Sequence, residues 1–338
     1  MGDDRSGHRQ SRLFTTDDGE FDTERSREQA LPVEDGEVVD VDRLSDHQRY
    51  VEGRGVYDER NEINDLTGRE WKYATKSVIA EQYPPAFQHD LRSEHGGQKP
   101  PRLCMELLQR FSKAGDRVLD PFAGVGGTLL AASLAADEGT GLRDAVGFER
   151  NPRWVEVYRE VLERENAERR ARGEGALETQ DLREGDCTDL VGDLDDDSVD
   201  LLLTDVPYWT MDSVEQTRNA KRTRASKLGS FGDGEPDERD GDLQTEEEWL
   251  DEMREAFETF RPALKSGAYA VVFVGDMYRD QSYNFLAADL ARELAAVGYT
   301  PKANLVWYDP SKDLHVYGYP FSFVPSMVHQ NVLVFRVE

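Results

Sequence analysis

Cysteine and long apolar stretches are both scarce in this chain. The two cysteines, Cys104 and Cys187, are too few for a disulfide framework, and no Cys-x-x-Cys pair or cysteine–histidine cluster indicates a metal site. No stretch approaches the ~20 apolar residues that a membrane-spanning helix needs, and the polar, acidic N-terminus is unlike a secretory signal. These absences predict a cytoplasmic protein with no metal and no membrane partner.

Positive charge is also in short supply. The 41 lysine and arginine residues stand against 69 aspartate and glutamate residues, which gives a formal net charge of −28 over 338 residues. Proteins that bind nucleic acid usually carry a basic face, because phosphate contacts supply much of their affinity. Here the acids are spread through every segment, as in proteins adapted to high salt, and in molar salt the Debye length falls to roughly 3 Å. The charge thus favours a halophilic protein and leaves a nucleic-acid partner open.

Composition separates an N-terminal tail from a folded domain. Residues 1–60 are rich in Asp, Glu, Arg, Ser and Gly without a sustained apolar period, so we expect a disordered acidic tail. Residues 61–338 are expected to form the domain. Within it, residues 212–245 are polar and too long for an ordinary connection, which predicts an inserted loop.

Apolar strand patterns alternate with helical ones along the domain. Strands are predicted at residues 117–120, 145–149, 182–184, 199–204, 269–274, 305–308 and 331–336, and helices at 71–79, 100–111, 126–136, 152–165, 246–260 and 284–297. This alternation is typical of an α/β fold with a mainly parallel sheet covered on both faces. The last two strands have no helix between them, so we expect seven strands with an antiparallel C-terminal edge hairpin.

A glycine-bearing turn follows the first predicted strand. Asp120 ends that strand, and Gly124 and Gly126 open the next helix, where glycine lets the backbone approach a ligand closely. Leu129 stands where a dinucleotide-binding fingerprint needs its third glycine, which disfavours pyrophosphate. Considered alone, the glycines are equally consistent with an ordinary strand-to-helix turn.

Acidic residues also follow the second and third predicted strands. Glu149 stands where an acid can accept hydrogen bonds from both hydroxyls of a ribose. Asp186 could accept from the amino group of an adenine. Taken alone, each acid is about as consistent with a solvated or turn-forming residue as with a ligand contact. Three acids at three successive strand ends together favour a nucleoside-containing cofactor.

The most informative stretch is Asp205-Val206-Pro207-Tyr208-Trp209, at the end of the fourth predicted strand. An acid followed by two turn-forming residues and an aromatic can accept hydrogen bonds from an exocyclic NH2 group and stack on its ring. Asp205 would accept one hydrogen and the Val206 carbonyl the other, which directs the nitrogen lone pair toward an electrophilic methyl group. Tyr208 would stack on the base, and Trp209 would extend the same wall. The plainer alternative is a strand that ends in a turn with a buried tyrosine.

A basic island interrupts the acidic chain within residues 212–245. Its side chains are candidates for phosphate contacts, which add affinity without reading sequence, although a solvated loop would have the same composition. The island consists of Arg218, Lys221, Arg222, Arg224 and Lys227. Four tyrosines in the C-terminal third would either line a substrate groove or pack internally: Tyr278, Tyr283, Tyr317 and Tyr319.

Several segments resemble the amino-methyltransferases that modify DNA at adenine N6 or cytosine N4. They are Asn64–Trp71 with Thr75–Ser77, Lys99–Pro101, Asp120–Thr128, Asp205–Trp209 and Val328–Arg336. In that order they resemble the family's opening, its cofactor-flanking motif, its S-adenosylmethionine loop, its catalytic Asp-Pro-Pro-Tyr and its last strand. Val206 replaces the first proline of the catalytic motif, which predicts a less rigid turn.

The resemblance implies a Rossmann-like class I methyltransferase fold with S-adenosylmethionine as cofactor. It implies cofactor contacts at Lys99, Pro100, Asp120, Phe122, Ala123, Gly124, Gly126, Glu149, Asp186 and Cys187. It implies catalysis by Asp205, Val206, Pro207 and Tyr208, and target contacts by Trp209 and by Arg218, Lys221, Arg222 and Arg224 of the basic island. The methyl group would pass directly to a flipped-out adenine or cytosine of DNA, as part of a restriction or defence system.

Two other functions stay open at this point. Guanine-N2 methyltransferases of tRNA use a similar turn, but they usually carry an appended RNA-binding domain, for which residues 1–98 look too short and polar. A non-catalytic DNA- or cofactor-binding partner in a defence complex is favoured only by Val206. The motifs do not choose between adenine and cytosine.

Overall fold

The computed structural model describes residues 39–207, 209, 245–279, 281–310 and 312–338. Tyr208 and all of the basic island lie outside the described residues. The chain divides into two compact units. Among the described residues, the smaller unit contains those up to Glu62 together with Leu66–Thr75, and the larger unit contains Ile63–Asp65 and those from Lys76 to Glu338.

The smaller unit contains an antiparallel hairpin within the range for which composition predicts disorder. β1 (Gln48–Val51) pairs with β2 (Gly55–Asp58), and Arg49 lies opposite Tyr57. Val56 in β2 is completely buried, so a few apolar residues are enough to order this segment. The predicted disordered tail therefore does not extend through residues 48–58, and for residues 1–38 it stays a prediction outside the described residues.

The same unit contains α1 (Gly68–Ala74), which begins at a capping box. Thr67 Oγ1 accepts from Glu70 N at 3.3 Å, and Glu70 Oε2 accepts from Thr67 N at 2.8 Å. The predicted helix 71–79 is too long at its carboxyl end, because Val78 and Ile79 form a strand instead. Their β-branched side chains favour that conformation.

Strands and helices alternate along the larger unit. Its strands are β3 (Val78–Ile79), β4 (Arg117–Asp120), β5 (Asp144–Glu149), β6 (Asp181–Glu184), β7 (Val199–Asp205), β8 (Leu264–Val274), β9 (Met277–Arg279), β10 (Ser282–Asn284), β11 (Tyr299–Tyr308) and β12 (His329–Val337). Its helices are α2 (His89–Arg92), α3 (Pro101–Phe111), α4 (Gly127–Asp137), α5 (Pro152–Arg172), α6 (Cys187–Leu190), α7 (Glu246–Phe260) and α8 (Leu286–Ala296).

Eight of the described strands form one sheet in the order β3-β11-β12-β8-β7-β4-β5-β6. The strands from β4 to β8 run parallel to one another, whereas β12 is antiparallel to both β8 and β11. The predicted α/β fold with a mainly parallel sheet and an antiparallel C-terminal pair is confirmed. The described sheet has eight strands instead of seven, because the short β3 pairs with β11 outside that pair, with Val306 opposite Val78.

Each face of the sheet is covered by an apolar layer. Leu201 and Leu203 of β7 pack on one face with α3, α4 and α5, and Leu202 packs on the other face with α7 and α8. Burial on both faces is typical of parallel strands, so a ligand would meet this sheet at the strand ends. No helix within the described ranges is both long enough and apolar enough to cross a membrane.

Candidate active site

Three acids stand at neighbouring strand ends of the large sheet. Asp120, Glu149 and Asp205 are the last residues of β4, β5 and β7. β4 lies between β5 and β7, and the three strands run parallel. Their carboxyl ends therefore meet at one edge, which is where open α/β sheets bind ligands.

Backbone hydrogen bonds join the loops that follow these strands. Ala123 N donates to Phe148 O at 2.9 Å, which ties the glycine turn to β5. Gly185 N donates to Glu149 O at 3.0 Å, which ties the loop after β6 to the same strand end. The loops that were predicted separately from the sequence thus lie side by side at one edge of the sheet.

The turn between β4 and α4 requires glycine at two positions. Gly124 has a φ of +50° and Gly126 a φ of +73°, in the left-handed region that favours glycine. A Cβ at Gly126 would overlap the ring of Tyr158, and one at Gly124 would lie 3.0 Å from His95 Nε2. The first amides of α4 have no intrahelical acceptor, so they are available to a ligand at this turn.

Asp120 is buried beside the glycine turn. Its Oδ1 accepts from Thr204 Oγ1 at 2.6 Å and from Phe122 N at 3.3 Å. Burial raises the pKa of Asp120 to about 6 in spite of these hydrogen bonds, and the charge of Asp205 acts in the same direction as burial. This carboxyl links the start of the turn to the end of β7, and burial makes its ionised form costly.

Glu149 is also buried, and its Oε1 accepts from Asn151 N at 2.7 Å. Burial raises its pKa to about 7, against the effect of the backbone donors of Asn151 and Gly124. A carboxylate that is costly to ionise gains most from further donors. The two hydroxyls of a ribose are donors of this kind.

Asp186 and Cys187 follow β6 at the rim of the site. Asp186 caps α6, and its Oδ1 accepts from Thr188 N at 2.9 Å and from Thr188 Oγ1 at 2.6 Å. Cys187 and Phe122 are partly buried against the same apolar cluster. Burial raises the pKa of Cys187 to about 12, so the thiol stays neutral and acts as an apolar group. The rim therefore combines an apolar wall with a carboxylate that already serves as a helix cap.

Lys99 and Pro100 lie between α2 and α3, and Lys99 reaches both parts of the site. The Lys99 carbonyl accepts from Arg92 Nη2 at 2.7 Å and lies 3.2 Å from the place of a Cβ at Gly127. The Lys99 ammonium forms an ion pair with Asp205, and only 7% of the lysine side chain is exposed. The backbone of Lys99 thus borders the glycine turn, whereas its side chain meets the predicted catalytic acid.

The turn after Asp205 is held by two hydrogen bonds. Val206 N donates to Phe273 O at 3.4 Å, a bond that a proline could not make, and the valine side chain is buried. Pro207 O accepts from Nε1 of Trp249, a buried residue of α7, at 2.8 Å. These bonds restrain the turn in a way that a proline at residue 206 would achieve through its ring.

Of the predicted target-binding residues, Trp209 lies among the described residues, whereas those of the basic island lie outside them. Trp209 is buried, and the Arg279 guanidinium lies 4.5 Å from the centre of its ring. Tyr278 and Tyr283 face each other across the β9–β10 hairpin. Tyr319 is 79% exposed between β11 and β12, where Phe321 and Phe323 are also exposed. The Trp209 ring therefore contributes to packing, and the exposed aromatics lie in the β11–β12 connection.

Sequence reasoning missed four residues that contact this edge: Arg92, His95, Trp249 and Lys312. Arg92 and His95 belong to short helical turns with no periodic signal, and Trp249 is one apolar residue of an ordinary amphipathic helix. Burial lowers the pKa of Lys312, and the positive charge of Lys99 lowers it further. The negative charges of Asp309 and Asp205 act in the opposite direction. Of these four residues, only Lys312 could have been found from the sequence, as an isolated lysine in the β11–β12 connection.

The residues at this edge fit S-adenosylmethionine. Arg92 is 1% exposed, and its Nε has no hydrogen-bond partner among the described residues. The same guanidinium lies 3.6 Å, through Nη2, from the place of a Cβ at Gly127. A buried cation beside the glycine turn suits the amino-acid carboxylate of such a cofactor, and Glu149 suits its ribose.

Comparison with known proteins gives a family match over most of the chain. A family model described as N6_N4_Mtase, DNA methylase, matches residues 37–160 and 199–333. The tRNA (guanine(10)-N2)-dimethyltransferase of Methanothermobacter thermautotrophicus is 34% identical over 149 residues, which are 44% of this chain and 38% of that enzyme. The chain thus spans about two fifths of the length of this relative.

Solved structures that resemble the chain share little sequence with it. The TrmN structure from Thermus thermophilus has a TM-score of 0.41 and 16% identity, with 73% of this chain and 52% of that chain covered. A second protein of Thermus thermophilus, described as a putative DNA modification methylase and solved with S-adenosyl-L-methionine, has a TM-score of 0.29 and 20% identity. That comparison covers 44% of this chain and 50% of the other.

Proposed function

The chain belongs to the N6/N4 DNA methylase family, and on that premise we propose that it transfers a methyl group to the exocyclic amino group of adenine or cytosine in DNA. The cofactor is S-adenosylmethionine. The observation that carries the proposal is the place of Asp205, which ends β7 beside the glycine turn and is followed by the restrained Val206–Pro207 turn. In this proposal the protein is the modification methylase of a restriction or defence system.

Several buried groups would hold the cofactor. Glu149 would accept from the ribose hydroxyls, the side-chain-free backbone at Gly124 and Gly126 would let its methionine portion approach closely, and Arg92 would meet its carboxylate. Phe122 and Cys187 would supply an apolar wall for its base. When bound, S-adenosylmethionine supplies an electrophilic methyl group.

Asp205 and the turn after it would orient the target. The carboxylate would accept one hydrogen of the target NH2 and the Val206 carbonyl the other, so that the nitrogen lone pair is directed away from both acceptors. The negative charge of Asp205 would stabilise positive charge as it develops on that nitrogen. Because Phe273 and Trp249 restrain the turn, the two acceptors are held in place before the target arrives.

Aromatic side chains would hold the extruded base and its neighbours. Tyr208 would stack on the target, and the exposed Tyr319, Phe321 and Phe323 would stack on unpaired bases. A base–aromatic contact of this kind contributes about 1–3 kcal/mol and depends little on sequence. The basic island would add phosphate contacts. Stacking suits a protein whose formal net charge is −28.

A second candidate is methyl transfer to guanine N2 in tRNA. It is favoured by the 34% identity to a tRNA (guanine(10)-N2)-dimethyltransferase over 149 residues. The same acceptors at Asp205 and Val206 would serve a guanine NH2 group, because it also presents two hydrogens on an exocyclic nitrogen. The two candidates therefore share one catalytic turn and differ in the nucleic acid that reaches it.

The function is tested by incubating the full chain, in molar potassium chloride, with methyl-labelled S-adenosylmethionine and either unmethylated DNA or unmodified tRNA. Nucleoside analysis of labelled DNA should give N6-methyladenine or N4-methylcytosine. Asp205→Ala should abolish transfer with cofactor affinity nearly unchanged, whereas Asp200→Ala, toward the opposite end of β7, should retain it. Label in tRNA alone would establish the second candidate, and label in neither would support a non-catalytic role.

A further inference from the structure

A buried lysine occupies the catalytic end of the sheet. The Lys99 ammonium pairs with Oδ2 of Asp205 and donates to Gly97 O at 3.3 Å. It also lies 5.3 Å from the centre of the Phe273 ring, on the strand next to β7. The side chain of Asp205 is 19% exposed, so the carboxylate is accessible while its cationic partner is enclosed.

Fold stability gives little reason for this pair. An enclosed ion pair gains little net free energy, because desolvation of two charges offsets most of their attraction. The chain has a Lys–Asp pair of the ordinary kind toward the opposite end of the same strand, between Lys265 and Asp200, and there the lysine is 46% exposed. The contrast points to a role for Lys99 in the chemistry at Asp205.

We propose that Lys99 is a positioning residue for methyl transfer: its ammonium keeps Asp205 ionised and holds Oδ2, so that the carboxylate presents a fixed orientation to the target amino group. The inference rests on the proposed function of the site. A carboxylate has about four lone-pair positions, so an ion pair at Oδ2 leaves acceptor capacity for an NH2 donor. Lys99 thereby acts through Asp205 and does not itself touch the target.

The surroundings of Asp205 favour such a counter-charge. Asp120, at the end of β4, places a second carboxyl in electrostatic contact with Asp205. Cys104 of α3 is neutral and buried, and Arg92 of α2 is engaged with the Lys99 carbonyl. Lys312, in the β11–β12 connection, also interacts with the charge of Asp205, and its ammonium donates to Met327 O at 3.5 Å. The ammonium of Lys99 differs from these groups because it contacts the carboxylate directly.

Lys99 also connects the acid to the cofactor turn. Its carbonyl accepts from Arg92 and borders Gly127, at the start of α4. A cofactor bound against that turn would therefore contact the backbone of Lys99, whose side chain orients Asp205. This gives the lysine a double contact that a purely cofactor-binding role would not require.

The test compares Lys99→Met, Lys99→Arg and the matched control Lys265→Met in the labelled-methyl assay over a range of pH. For Lys99→Met we expect a fall in kcat of up to about 100-fold, the size of effect that misplacing a reacting group can have, with KM for the cofactor little changed. The acid limb of the kcat/KM profile should move to higher pH, because a carboxylate without its counter-charge is protonated more easily. Lys99→Arg should keep the limb in place, and Lys265→Met should match the wild type.

Cofactor affinity, measured by calorimetry without any nucleic acid, supplies the second readout. Binding by Lys99→Met within about threefold of wild type, together with the displaced acid limb, would support the proposal. Loss of cofactor binding with an unmoved limb would return Lys99 to a cofactor-binding role and overturn it. A wild-type protein that transfers no methyl group would reject the proposed function itself, whereas active wild type with an unmoved limb in Lys99→Met would reject only this inference.

Discussion

At the scale of single residues, burial of the Glu149 carboxyl has a clear energetic cost. Its carboxyl is buried at a strand end, and its pKa is raised from 4.5 to about 7 by burial. The folded protein therefore binds this proton more tightly than the unfolded chain does, so this group's contribution to the free energy of unfolding falls as pH rises from about 4.5 through 7. Above that range the ionised carboxylate remains buried, and the backbone donors of Asn151 and Gly124 offset only part of that cost.

We expect Glu149→Gln to raise the free energy of unfolding at pH 8 by about 1–3 kcal/mol, because one pKa unit corresponds to about 1.4 kcal/mol. The gain should shrink as the pH is lowered toward 5, where the wild-type carboxyl is protonated. Denaturant unfolding in molar potassium chloride measures both values, and calorimetry should show weaker cofactor binding by the variant.

The matched control for this prediction is Glu163→Gln, an exposed glutamate of α5. It should leave stability nearly constant at each pH. If Glu149→Gln instead lost stability equally at all pH values, the raised pKa would not describe this site.

Val206 shows what the sequence can and cannot say about one residue. The departure from Asp-Pro-Pro-Tyr is visible in the sequence, and it suggests a looser turn. The hydrogen bond from Val206 N to Phe273 O is not visible there, because Phe273 lies on a strand more than sixty residues away along the chain. Contacts of this kind depend on sheet order, which a local pattern does not contain.

At the scale of elements, the turn that follows Asp205 depends on α7. Trp249 of this helix donates through Nε1 to Pro207 O at 2.8 Å, and its ring is buried. The helix itself begins at a capping box formed by Thr245 and Glu248. Its position on the sheet thus fixes the Pro207 carbonyl, two residues after the proposed catalytic acid Asp205.

We expect Trp249→Phe to lower the free energy of unfolding by about 1–2 kcal/mol, since the Pro207 carbonyl would be left without its buried donor. Methyl transfer should fall while cofactor affinity stays close to wild type, because the glycine turn is not touched. Thermal unfolding, kinetics and calorimetry measure the three quantities.

Trp307→Phe provides the matched control, because Trp307 is buried while its Nε1 makes no hydrogen bond among the described residues. It should lose packing without a selective loss of transfer. Equal effects of the two substitutions on kcat would show that the Trp249 hydrogen bond does not position the turn.

The success of element prediction varied with the physical signal. Helix 246–260 was predicted at its observed bounds, because its cap and its apolar period agree. β8 starts at Leu264, before the predicted residue 269, because Gly267 at φ +86° lets the strand continue through an apparent turn. The β9–β10 hairpin was missed because strands of three residues leave no measurable period.

At the scale of the whole molecule, the formal net charge of −28 sets the conditions for stability. Repulsion among uncompensated charges destabilises a compact state. Surface ion pairs such as Arg153–Glu94 and Arg60–Asp58 contribute little each and are screened by salt. The stability lost when salt screens those pairs should therefore be smaller than the stability gained when salt screens the general repulsion.

We expect the Tm of the protein to rise steeply between 0.1 and about 2 M potassium chloride, since the Debye length falls from about 10 Å at 0.1 M to about 3 Å at 1 M. Nucleic-acid affinity should survive the same change better than it would for a basic protein, if exposed aromatics such as Phe321 supply much of the contact. Differential scanning calorimetry and fluorescence anisotropy with a labelled oligonucleotide measure these two responses.

Sucrose at matched osmolality separates charge screening from solute exclusion, because it strengthens burial without screening charge. A Tm that rose equally in sucrose, or that fell in potassium chloride, would mean that the acidic surface is not what salt stabilises.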